Sequence, residues 1–153
     1  MMTAHVLYRA LDDQWPATLS RAIITKFLRE ELQYDGVVLT DDLEMRAIID
    51  HYGIEEATIR ALLAGCDMPL ICKDRNREIA AIDALDKAVA DGTITTERLE
   101  RSLARVARLK QRFLVPYRPV AISDAKLIVG CRSHQALLRT IHQARERVSR
   151  TAV

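Results

Sequence analysis

Over the first 72 residues, short continuous apolar runs alternate with apolar stripes at helical spacing. Thr3-Ala4-His5-Val6-Leu7-Tyr8 is a run with few turn formers and predicts a buried strand. A loop over residues 12–18 follows. Ser20 is placed to N-cap a helix reaching to about residue 33, with Ile23, Ile24, Phe27, Leu28 and Leu32 on one stripe. Asp35-Gly36 is a turn signal. Val37-Val38-Leu39-Thr40 reads as a strand buried on both faces. Asp42 is positioned to cap the next helix, beginning near Leu43 and carrying Met45, Ala47, Ile48 and Ile49, until Gly53 breaks it. Glu55-Glu56 opens another helix, with Ile59, Leu62 and Leu63 inward and Gly65 as its C-terminal cap. Residues 66–72 predict a third strand, in which Pro69 is awkward for a central ladder.

From about Asn76 the pattern is helical only. One helix runs to Ala90 and ends at Asp91-Gly92. A second covers residues 95–113, with Leu99, Leu103, Val106 and Leu109 predicted inward. Its Arg98, Arg101, Arg105, Arg108, Lys110 and Arg112 predict a solvated face, because Glu97 and Glu100 interleave and aromatic residues do not. Residues 115–119 carry two prolines and read as an extended linker. Residues 126–129 fit a strand or a helix, and residues 134–150 a charged helix. The division expected is therefore 1–113 as one domain and 114–153 as a linker and helical extension.

The strand-helix-strand-helix-strand order implies an α/β fold with a parallel sheet covered by helices. Three strands are few for a doubly wound sheet or a (β/α)8 barrel, so the chain reads as part of a larger assembly. Composition fits a soluble globular protein: 49% hydrophobic and 29% charged residues. The formal net charge of +2 gives no global reason to bind nucleic acid or an anionic membrane. Cys66, Cys72 and Cys131 form no CxxC pair and no zinc spacing with histidine, and read as reduced thiols. There is no leader pattern at the start, and no apolar stretch approaches the ~20 residues a membrane helix needs. A cytoplasmic location is expected, with no membrane and no nucleic acid as partner.

Candidate chemistry centres on Asp41, which would point from a strand end. An aspartate at a strand-to-helix junction is commonly an N-cap worth about 1 kcal/mol, and Asp42 fits that role better than Asp41. His5 also falls at a strand end, where it either lines a pocket or is a hydrogen-bonded histidine near the core. His51, His134 and His142 read as surface residues.

Five stretches carry a resemblance. They are Met2-Thr3-Ala4-His5-Val6; Leu11-Asp12 with Pro16-Ala17-Thr18-Leu19-Ser20; Leu28-Arg29-Glu30-Glu31-Leu32 with Tyr34-Asp35-Gly36-Val37-Val38; Thr40-Asp41-Asp42-Leu43-Glu44-Met45 with Ala47-Ile48; and Ala64-Gly65-Cys66-Asp67-Met68. Arg105-Val106-Ala107-Arg108-Leu109-Lys110 fits the same pattern's closing helix. In this order and spacing they resemble the glycoside hydrolase family 3 β-N-acetylhexosaminidases of the cell-wall recycling type, over roughly residues 2–113. The resemblance implies a partial TIM-like (β/α)8 barrel, about its last three βα units, followed by extra helices. It places His5, Asp41 and the Cys72-Lys73 region at the ends of the sixth, seventh and eighth strands.

It also implies a retaining hydrolase of terminal β-linked N-acetylglucosamine, acting on saccharides such as muropeptides without metal or organic cofactor. Asp41 would be its nucleophile and His5 a substrate-binding residue. The family's proton donor, a histidine in a Lys-His-Phe-Pro-Gly-His-Gly type loop, and its earlier sugar-binding strands have no counterpart in this sequence. A second chain is expected to supply them. The alternative is an inactive remnant, or an interaction module acting through the helical C-terminal part.

Overall fold

The computed structural model describes residues 1–151. They fall into two compact units, Met1–Phe113 and the residues from Leu114 onward. No helix among the described residues is long and apolar enough to cross a membrane.

In the first unit, β1 (Leu39–Asp42) and β2 (Met68–Leu70) pair in parallel. Met2 adds a parallel bridge to Leu39 on the other side of β1, closed by the Thr3 N–H to the Leu39 carbonyl at 3.0 Å and the Leu39 N–H to the Met1 carbonyl at 2.9 Å. The expected first strand is thus a single bridge, and Val6, Leu7 and Tyr8 are 41–50% exposed. Among the described residues no further strand covers its outer side, so nothing there buries its side chains. Pro69 does not prevent β2. The ladder slips around it, and the Leu70 N–H reaches the buried Thr40 hydroxyl at 2.8 Å instead of a carbonyl.

A 3₁₀ turn (Ala17–Leu19) leads into a π-helix (Ala22–Glu31). Ser20 caps it as the sequence predicts, accepting the Ile23 N–H at 3.1 Å. The Leu32 N–H bonds the Phe27 carbonyl five residues back. This wider winding changes which stripe faces inward: Ile24 and Leu28 are buried, while Phe27 and Leu32 are exposed. Helices α1 (Arg46–Tyr52) and α2 (Ile54–Ala64) meet at Gly53, and α3 (Arg75–Ala90) and α4 (Thr96–Leu114) complete the unit. Leu43 and Ile48 are fully buried against Val38, Ala57, Ala61 and Cys66. Each of those two side chains contributes about 1.5–3 kcal/mol by leaving water. Burial in this apolar setting pushes the Cys66 thiol up to about 12, so it is a core residue and not a nucleophile. In the second unit, residues 126–129 belong to α5 (Ile122–Ile128) and its end, and α6 spans Arg132–Thr151.

Helix α4 turns inward a face only partly the one its apolar stripe predicts. Leu99 and Val106 are half-buried and Leu103 and Leu109 are exposed, whereas the side chains of Arg98 and Arg105 are only 14% and 16% exposed. The cause is Asp67, whose side chain is fully buried just before β2. It accepts from Arg29 (2.6 Å), the Val38 N–H (3.0 Å), the Ser102 hydroxyl (2.8 Å) and Arg105 (3.3 Å). Arg29 continues to the carbonyls of Tyr34, Gly36 and Gly65, and Arg98 to those of Leu62 and Cys66. A buried carboxylate needs such partners, and supplying them turns Arg98, Ser102 and Arg105 of α4 inward. The network locks the starts of both strands.

Gly65 ends α2 at φ +123, with its N–H shared between the Ala61 and Leu62 carbonyls. A Cβ there would lie 2.8 Å from the Thr25 hydroxyl and 2.9 Å from Ile24. Gly65→Ala is therefore expected to destabilise the chain by about 1–3 kcal/mol, read as a lower urea midpoint. An unchanged midpoint would show that this turn is not under constraint.

Candidate active site

The far ends of the strands gather the residues with chemistry. In β1, Thr40 faces the core and ties to β2, while Asp41 and Asp42 are half-buried at the strand end. Asp41 Oδ1 accepts the Asp42 N–H at 2.8 Å. That is the one hydrogen bond of its carboxylate among the described residues, so Oδ2 is left for an incoming group.

Asp42 does not cap α1. Its Oδ1 accepts the Glu44 N–H at 3.0 Å, and the Met45 N–H bonds its carbonyl at 3.1 Å, forming a turn before α1 begins at Arg46. This turn delays the helix and frees Glu44 to point across to the loop after β2.

His5 reaches the same end. Its Nε2 lies 2.9 Å from the Asp42 carbonyl and its Nδ1 lies 2.8 Å from the Thr18 hydroxyl. A carbonyl only accepts, so Nε2 carries a proton. In the neutral ring Nδ1 then accepts from Thr18, whose oxygen in turn receives the Thr3 hydroxyl at 2.8 Å. Both ring nitrogens are committed to holding the chain beside Asp41. His51 packs its ring edge on Tyr52, 6.1 Å between centroids, and His134 and His142 are exposed.

Glu44 is the residue that sequence reasoning passed over. Its side chain is 6% exposed and accepts the N–H groups of Cys72 (3.0 Å), Lys73 (2.6 Å) and Asp74 (3.1 Å), with Arg77 at 3.4 Å. Burial pushes its carboxyl up, but the Lys73, Asp74 and Cys72 N–H groups and the Arg77 charge together hold it below the usual glutamate range. The signal available was its place in Thr40-Asp41-Asp42-Leu43-Glu44, three residues past the strand's catalytic candidate. What it grips lies about thirty residues away. The gripped loop brings Cys72 beside the acidic pair. Its thiol is pushed up by desolvation and by the charges of Asp42, Glu44 and Asp41.

Glu44→Gln should loosen this loop, because an amide offers one acceptor oxygen and sets its NH2 against backbone donors. Amide protection at Lys73 and Asp74 is expected to fall at least about tenfold. In the native chain, protection from Glu44 is complete above the ordinary glutamate value and is lost as pH falls through the lowered folded one. The variant should show no such acid step, and equal protection in both proteins would refute the assignment.

Among the described residues no group of three or more His, Cys, Asp or Glu side chains is arranged to hold a metal ion. An accessible aspartate at the C-terminal end of a parallel strand stands where enzymes built on parallel α/β barrels keep their chemistry. Residues 1–109 match the glycosyl hydrolase family 3 N-terminal domain, and the chain belongs to that family.

It is 34% identical to beta-hexosaminidase A of Pseudoalteromonas piscicida, over 90% of this chain and 25% of that protein. It is 40% identical to a beta-hexosaminidase of Bordetella parapertussis, over 76% of this chain and 30% of the relative. Among solved structures, a family 3 beta-N-acetylglucosaminidase from Paenibacillus sp. str. FPU-7 superposes with a TM-score of 0.76 at 45% identity. That match covers 85% of this chain and 24% of the other. The beta-N-acetylglucosaminidase of Thermotoga maritima gives a TM-score of 0.65 at 38% identity, covering 70% and 24%. The chain thus spans roughly a quarter to a third of the length of these relatives.

Proposed function

We propose that this chain carries the nucleophile-bearing portion of a retaining β-N-acetylhexosaminidase and forms the last βα units of its (β/α)8 barrel. The observation that carries this reading is Asp41: a half-buried carboxylate at the C-terminal end of a parallel strand, with one oxygen uncommitted. In this mechanism Oδ2 attacks the anomeric carbon of a terminal β-linked N-acetylglucosamine, and the bond to the leaving oxygen breaks as that oxygen takes a proton. Water then cleaves the glycosyl ester and regenerates the carboxylate. His5 and Glu44 act as positioning residues, through the Asp42 carbonyl and the loop after β2 respectively. Muropeptide-type saccharides are the substrate class, and the family's relatives support an N-acetylglucosamine ring.

In this reading the proton donor comes from the part of the barrel that these residues do not form. Both outer sides of the three-segment sheet lack a neighbouring strand among the described residues, and Val6, Leu7, Tyr8 and Leu11 expose apolar surface beside one of them. A second reading, an interaction module, is favoured by α6, where Leu137, Leu138 and Ile141 recur at helical spacing and are 46–60% exposed. One experiment separates them. The chain is mixed with the separately expressed preceding portion of a family 3 beta-hexosaminidase and assayed on a chromogenic β-N-acetylglucosaminide. Turnover confined to the mixture supports the glycosidase reading. Association without turnover leaves the interaction module.

A further inference from the structure

At the opposite end of the strands from Asp41, a cavity of about 660 Å³ opens between the π-helix and α4. Its wall carries Arg21, Arg29, Arg98, Arg101 and Arg105, with Glu30 as the one carboxylate. Behind the wall, Asp67 neutralises part of this charge, and Asp35 pairs with Arg105 at 3.0 Å. With Glu97 beside Arg101 and Arg108 sharing Asp35, six guanidinium groups face four carboxylates, which leaves the region positive.

The arginines divide by role. Arg29, Arg98 and Arg105 are spent on Asp67, Asp35 and backbone carbonyls, which fixes their planes. Arg21 and Arg101 are exposed and make no hydrogen bond or salt bridge among the described residues, although Glu97 lies close enough to Arg101 to feel its charge.

We propose that this cavity is a binding site for a phosphate-type oxyanion on a small molecule. Planar guanidinium forks match phosphate oxygens in pairs, so Arg21 and Arg101 supply the donors while the held arginines supply fixed positive charge behind them. Arg98 is held below the usual arginine range chiefly by burial, with the positive charges of Arg105, Arg101 and Arg29 adding to this against the pull of Asp67. An anion in the cavity relieves that repulsion. The Thr93 and Thr95 side chains line the rim, and the volume accommodates the body of a phosphomonoester as well as the anion. No aromatic side chain lines the cavity for stacking a nucleobase.

Calorimetric titration of the full chain with inorganic phosphate and with glucose 6-phosphate, at constant ionic strength, tests this. Saturable binding is expected, weakened about tenfold or more by Arg21→Gln and by Arg101→Gln. Both variants should keep the native urea midpoint, since neither side chain holds the fold. Tighter binding of the ester would mark a phosphorylated metabolite as the ligand, and equal affinity would mark phosphate itself. Asp41→Asn should bind as the native chain does, being at the other end of the strands. The proposal is overturned by the absence of saturable binding, by undiminished affinity in both arginine variants, or by loss of binding in Asp41→Asn.

Discussion

Asp41→Asn should reduce turnover of the reconstituted enzyme by about 10⁴-fold or more, the scale of removing a covalent nucleophile. The substitution suits the question because it alters chemistry and little else. The carboxylate makes one hydrogen bond, accepting the Asp42 N–H, and an asparagine oxygen can accept the same bond. Stability should therefore stay within about 0.5 kcal/mol of the native chain, as for substitutions that break no buried contact. Urea unfolding and association with the complementing portion provide the controls. Retained turnover in a well-folded, associated Asp41→Asn protein would remove Asp41 from the chemistry, even if the family assignment stands.

Asp67→Ala should have the largest effect on stability, about 3–5 kcal/mol, the cost of stripping the partner from buried charges. That is a large share of the 5–15 kcal/mol that holds a typical domain together. Three guanidiniums and the Ser102 hydroxyl lose their common acceptor, and the Val38 N–H at the start of β1 is left without one. Asp67→Asn should be nearly as costly, since its NH2 would face a donor on whichever side it turned. Ser102→Ala removes one bond of the network and should cost about 1 kcal/mol. Combined with Asp67→Ala it should cost less than the sum, because both changes act on one network. Additive losses in urea unfolding would show that Ser102 and Asp67 are independent, contrary to their 2.8 Å contact.

Much of the candidate site was legible in order of residues. The apolar run ending in Thr40-Asp41 places a carboxylate at a strand end, and the structure puts β1 two residues further along, at Leu39–Asp42. Ser20 as a cap and Gly65 as a helix stop were equally local, since each depends on hydrogen bonds within a turn. Asp42 was misread because two outcomes compete at one residue. An aspartate there can cap a helix or close an Asx turn, and the pull of the distant loop on Glu44 selects the turn.

Sequence by itself determined the elements that nearest neighbours decide: the helices, their glycine ends, the buried run before Asp41, and the motif that carries the family. Only the tertiary structure decided which face of α4 turns inward. Arg98, Ser102 and Arg105 recur at the same helical spacing as the leucines, so periodicity alone admits both faces. The choice falls to Asp67, thirty-five residues from Ser102, because a buried carboxylate needs partners. For the same reason Glu44, and not the local chain, sets the loop beside Asp41. Charge and hydrogen-bond demand act across space, and the order of residues along a chain does not record who meets whom.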